Sequence, residues 1–195
     1  MRWFTGIVAT TGVILSLYFG SAYAALSDLV EAAQQRNGER LLARTDTTSL
    51  KRSVTEQIVN AYLDRIQETR KPSQTERLLA YTVGATIADA LVAHAVTEAG
   101  LARMLAEGQF VTDQPGKTAF TLPRLADLDI KRITALVNRL HLITPVEMSV
   151  RIGRDGRADD ITAIRLHMYG LGWKLSGLEL PPQILRSLAA RLPVR

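Results

Sequence analysis

Three histidines, His94, His141 and His167, are the side chains of this chain that ordinarily titrate near neutral pH. None has a second His or a Cys at ligand spacing. His94 and Glu98 lie four apart, a spacing that could put them on one helix face, but zinc normally takes three or four protein ligands, so the pair reads as a surface contact. Asp155, Asp159 and Asp160, with the distant Glu147, suggest a cation. Arg154 and Arg157 interrupt them, and the alternating carboxylates of a calcium loop are missing, so a solvated turn is the better reading. A phosphate-cradling glycine loop, a nucleophile elbow and a dinucleotide fingerprint are absent from the sequence. No catalytic residue, cofactor or metal ligand is assigned. Two residues remain as candidates for a pocket. Asp89, in "GATIADALV", is an acid between small apolar neighbours, and its plain role is a polar contact at a helix edge. Trp173 either fills the core or stands at a pocket mouth, and the core is preferred because large aromatics bury so much surface.

The elements that must position these residues begin with an apolar run. Arg2 is the one charge before the uncharged segment from Trp3 to Ser27. As a helix that segment is long enough to cross a hydrocarbon layer of ~30 Å. Residues 1–27 are read as a signal anchor. The alternative is a signal peptide, with Gly20 breaking its apolar region and cleavage after Ala24. Either way residues 28–195 form one domain, expected in the periplasm, with the N-terminus kept inside by Arg2. The uncut reading lets the apolar run continue into Leu26, Leu29, Val30 and Ala33, which repeat at helical spacing.

The chain then reads as helical. Asn37-Gly38 is a plausible stop, and Thr47, Thr48 or Ser49 a plausible N-cap. Leu50, Val54, Ile58, Ala61, Tyr62 and Ile66 make a stripe ended by Lys71-Pro72. Ser73 and Glu76 form a capping box ahead of Leu79, Val83, Ile87, Leu91 and Val92, and Gly84 within that stripe implies a close neighbour. Thr97 caps a short helix closed by Gly108. Phe110 to Asp129 gives no assignable pattern, and Ile133, Leu136, Val137 and Leu140 are compatible with a helix.

Beyond Thr144-Pro145 the period changes to two. Val146, Met148, Val150 and Ile152 alternate with polar residues, and so do Ile164, Leu166 and Met168. His167 and Glu147 fall on the polar side, badly placed for a base in an apolar cavity. After the Gly170-Leu171-Gly172 turn, "WKLSGLEL" breaks its own alternation. A bulge at Gly177 restores it, placing Trp173, Leu175, Leu178 and Leu180 on one face. The fold class is therefore α+β: a helical first half on a C-terminal antiparallel meander, with a short amphipathic tail helix built on Ile184, Leu185, Leu188 and Leu192.

The chain has 195 residues, 47% of them apolar, and no Cys, which removes disulfides and thiolate chemistry. Its net charge of +5 is concentrated late, since Arg124 to Arg195 holds 12 Lys or Arg against 7 Asp or Glu. Arg151, Arg154, Arg157, Arg165 and Lys174 fall on expected solvent faces and turns, and Arg186 and Arg191 on the polar side of the tail helix. Together they form a candidate contact for anionic lipid. Base-stacking aromatics are lacking among them, which argues against nucleic acid.

Several of these stretches together resemble an uncharacterised bacterial family, number 2939 among the domains of unknown function. The match rests on the apolar opening into "YAALSDLVEAAQQRNGERLLARTDTTSLKRSVTEQI", with Asp46, Leu50, Lys51 or Arg52, and Ser53 at the family's Asp and Leu-Arg/Lys-x-Ser positions. "DALVAHAVTEAGLARML", "TPVEMSV" and "GLGWKLSGLELP" extend it. The resemblance implies a signal-anchored envelope protein and brings no activity with it. Helices on a sheet ending in Gly-Trp-Lys-Leu are also similar to the cone-shaped nuclear-transport-factor-two-like fold, which often encloses a pocket. The expectation is a non-enzymatic, membrane-anchored module contacting a partner protein or the envelope surface. The alternative is a small-ligand binder or enzyme with a pocket between helices and sheet.

Overall fold

Alternating apolar residues after Pro145 form strands, as their period requires. The structure, a computed structural model, describes residues 2–67, 73–110, 120–130, 132, 136, 138–153, 162–170 and 172–190; within these, side chains are described except at 2–9, 67, 76, 79, 80, 83, 87–92, 94, 110 and 120. Helix α1 spans Arg2–Gln34, α2 Gly38–Ala43, α3 Thr47–Gln67, α4 Gln74–Ala95 and α5 Glu98–Ala102, which runs on into a π-turn at Arg103–Glu107. Strands β1 (Gln109–Phe110) and β2 (Phe120–Thr121) pair with each other, and a 3-10 turn follows at Leu125–Asp127. Then come β3 (Leu140–Thr144), β4 (Glu147–Ile152), β5 (Thr162–Tyr169), β6 (Gly172–Glu179) and α6 (Pro182–Ala189).

The last four strands make one antiparallel sheet in the order β3–β4–β5–β6. This is the expected α+β arrangement, a helical first half packed on a C-terminal meander. Met148, Val150, Ile164, Leu166, Trp173, Leu175 and Leu178 are buried in the same core as Leu26, Leu29, Val30, Leu41, Leu50, Val54 and Ile58 of the helices. The bulge occurs where the broken alternation requires it. Arg165 pairs with Gly177 while the next residue, Leu166, pairs with Leu175, so Ser176 is the extra residue. Trp173, Leu175, Leu178 and Leu180 are thereby all buried.

The outer edge of β6 is covered. Asp46 N–H donates to the Leu175 carbonyl and Leu175 N–H to the Arg44 carbonyl, both at 2.8 Å, so residues 44–46 run beside it. Further on, the Gln57 side chain donates to the Leu178 carbonyl at 2.6 Å and accepts from Leu180 N–H at 2.9 Å. A strand edge left open would carry unpaired backbone groups. Helix α3 is thus fixed against the sheet by polar as well as apolar contacts.

Close packing explains one of the glycines. A Cβ on Gly84 would lie 2.5 Å from Val59 Cγ2, so α4 approaches α3 more nearly than any larger residue permits. Gly108, at φ 68°, closes the π-turn in the left-handed conformation, and Thr97 Oγ1 caps α5 by accepting from Gly100 N–H at 3.1 Å.

Six expectations need correction. His94 and Glu98 share no helix, since α4 ends at Ala95 and α5 begins at Glu98, and Val146 is exposed in the turn before β4, not part of its buried face. Asn37-Gly38 does not stop α1, which ends at Gln34; Asn37 is instead the N-cap of α2 and accepts from Arg40 N–H at 3.0 Å. The N-cap of α3 is Asp46, not Thr47, Thr48 or Ser49, because its carboxylate accepts from Ser49 N–H at 3.1 Å. Leu140 belongs to β3, not to a helix, since Leu140 pairs with Val150 across the ladder. Gly20 breaks nothing: α1 continues through it. The stripe Leu79, Val83, Ile87, Leu91 and Val92 lies outside the described side chains. The turn at 154–160 and the end of the tail helix at Leu192 lie outside the described residues.

Candidate functional site

Helix α1 is one element in two surroundings. From Thr10 to Leu17 every side chain is exposed, Leu17 at 69%. From Ala22 onward the inward face, Ala22, Ala25, Leu26, Leu29, Val30, Ala32 and Ala33, is buried. The change happens over one turn, and three contacts fix it. Tyr18 Oη donates to the Pro145 carbonyl at 2.7 Å. Its ring meets Trp173 edge-on with centroids 5.4 Å apart. Trp173 Nε1 donates to Ser21 Oγ at 3.1 Å, so the buried indole has its one polar atom satisfied by α1. Farther along, Asp28 pairs with Arg40 and, at 2.6 Å, with Arg44, tying α1 to α2. Among the described residues one 25-residue stretch, Thr10–Gln34, is long and apolar enough to cross a membrane by length and composition.

A second feature is a polar cleft of ≈ 470 Å³ between α3 and the hydrophilic face of the sheet. One wall is Asp46, Ser49, Arg52, Ser53 and Glu56, which helical spacing places along one side of α3 and its cap. The other is Glu147, Arg165, His167, Tyr169 and Ser176. Arg165 is held between Glu179 at 3.0 Å and Glu147 at 3.9 Å, so its charge is largely answered within the sheet. The Asp46 carboxyl is held below the usual carboxylate range. The backbone N–H of Ser49 is the main cause; burial opposes it, while the Ser49 hydroxyl, the Thr48 backbone and the Lys174 charge assist. Asp46 is therefore a structural anion at a helix start. The cleft offers a mixture of donors and acceptors with no single sign of charge.

Of the residues expected to meet anionic lipid, Arg151, Arg165 and Lys174 share one face of the sheet by register. Arg151 is exposed at the far end of β4, and Arg165 lies in the cleft. Lys174 is half-buried with Nζ 5.9 Å from the Tyr169 ring centroid, and Arg186 is exposed on α6. Arg154, Arg157 and Arg191 lie outside the described residues. Of the two pocket candidates, Trp173 is 0% exposed and does not line the cleft. Asp89 lies on α4, with its side chain outside those described. The cleft itself was hidden from sequence reading, because residues 46–56 and 147–176 are far apart in the chain. The family positions Asp46 and Ser53 were the available signal: both line it, while Leu50 between them is core. Among the described residues no cluster of three metal-ligating side chains occurs.

No curated protein and no solved structure matches this chain. Residues 12–104, from the exposed part of α1 to the π-turn, match the family model described as Protein of unknown function (DUF2939).

Proposed function

We propose that this chain is a membrane-anchored envelope module, with α1 retained as a single-pass anchor and residues 28–195 on the periplasmic side. It acts by contact with a partner protein or the envelope surface and not by catalysis. The observation that supports this reading is the passage of α1 from a wholly exposed apolar segment into the core. Removal of residues up to Ala24 would strip Trp173 of both the Tyr18 ring and its Ser21 acceptor. Trp173, fully buried with α1 in place, would also lose the cover of these side chains, and that loss of burial supports an uncut helix. The orientation follows if Arg2 stays inside.

The test is the mass of the native protein, together with its behaviour on alkaline extraction of membranes. The expected result is an intact N-terminal segment and a protein that stays with the bilayer. A mature chain beginning at Ala25 would overturn the anchor. A second reading, a site for a small polar ligand, draws on the α3–sheet cleft and stands apart from the anchor.

A further inference from the structure

We propose that the end of the sheet bearing the β3–β4 and β5–β6 turns sits in the headgroup–acyl boundary of the bilayer that α1 crosses. The inference rests on the anchor reading and extends it to a second contact surface. Register brings the two turns together: Glu147 pairs with His167, and His167 with Lys174, so both turns close the same end of the sheet. With strands about 4.8 Å apart, the four strand ends span roughly 14 Å.

The same end is fixed to the anchor. Tyr18 holds the β3–β4 turn through Pro145 and packs on Trp173, the second residue of β6. This is the level at which α1 passes from exposed to buried. From Trp3 to Leu17, the last residue before the Tyr18 contacts, α1 rises about 22 Å, short of a hydrocarbon layer of ~30 Å. No spare turn of helix is left to hold the sheet end away from the headgroups.

The side chains there suit that depth. Leu142 is 54% and Tyr169 65% exposed, and Ile143 and Val146 are exposed with them. These large apolar groups face outward at one end of a sheet whose other described apolar residues are buried or half-buried. Lys174, beside the Tyr169 ring, adds the aromatic–cation pairing favoured at headgroup level. Arg151 lies four residues up β4 from Glu147, about 13 Å away, so this seat depends on apolar insertion more than on basic residues.

The chain has no Cys, so single probes can be placed by substitution. Full-length Ile143→Cys, Tyr169→Cys, Arg151→Cys and Leu15→Cys, each carrying an environment-sensitive fluorophore, would be reconstituted in phosphatidylcholine vesicles with and without brominated lipid. Quenching at 143 and 169 is expected to exceed that at 151 several-fold and to change little with salt. If only the probe at 15 is quenched, the anchor stands and the seated sheet end is overturned. If none is quenched, both fall. If emission at 143 depends instead on the protein-to-lipid ratio, the β3 edge meets a second copy and the lipid seat is overturned.

Discussion

The two halves of α1 belong to one unbroken helix and have opposite surroundings. Thr10 to Leu17 exposes Val13, Ile14, Leu15 and Leu17, which point in several directions round the helix and not along one stripe. From Ala22 the apolar residues fall on one face, and four of them are alanines, which let the sheet and α2 approach closely. Tyr23, Ala24, Glu31 and Gln34 face outward between them. A single helix thus carries two amphipathicity patterns, one for a solvent it supplies itself through folding and one for a solvent it must find. Length is blind to this difference; angular distribution and the charges at Asp28 and Glu31 reveal it.

The largest expected effect lies where the halves meet. Trp173→Ala should cost ~3–5 kcal/mol in denaturant unfolding, because it empties the space between Tyr18, Ser21 and the sheet. An unfolding midpoint within error of the parent would mean that the junction is not part of the core. The comparison itself is sharpened by a matched pair. Leu29→Ala should lose about 2–5 kcal/mol, whereas Leu15→Ala should stay within about 0.5 kcal/mol of the parent in the same detergent. Equal losses would erase the distinction between the halves.

An effect smaller than either core truncation serves as a baseline away from α1. Asp46→Ala removes the cap of α3 and should cost about 0.5–2 kcal/mol, whichever half of α1 is altered with it. Because the folded-state pKa of Asp46 is depressed, its contribution is fully present above the unfolded value of about 3.9 and is lost as pH falls through the folded value. The difference between parent and Asp46→Ala should therefore narrow on acidification below about pH 4. A constant difference down to strong acid would show that the carboxylate charge is not what caps the helix.

Local periodicity made β4, β5 and β6 legible, and the defect at Ser176-Gly177 was readable because a bulge leaves a parity error in the sequence itself. The packing glycine at 84 and the closing glycine at 108 were likewise visible as exceptions to a pattern. β3 was not legible. Leu136 and Leu140 lie four apart, as in a helix, and an edge strand with outward-facing Leu142 and Ile143 has no alternation to show. The cap at Asp46 was missed because three hydroxyl residues follow it and any of them could have served. The cleft and the Tyr18–Pro145 contact join segments about a hundred or more positions apart, and nothing local encodes such a meeting.

The continuity of α1 has a mechanical consequence in the anchored reading. A Gly- or Ser-rich stalk would let a domain sweep a hemisphere and sample partners at many heights. Here the tether has zero length and no hinge, so the domain inherits the tilt and azimuth of its span. Its encounters are confined to a layer about one domain thick. A partner approaching laterally in the same membrane meets a fixed aspect of the protein, with search reduced to two dimensions. Any torque on the span is delivered without slack to the sheet through Trp173.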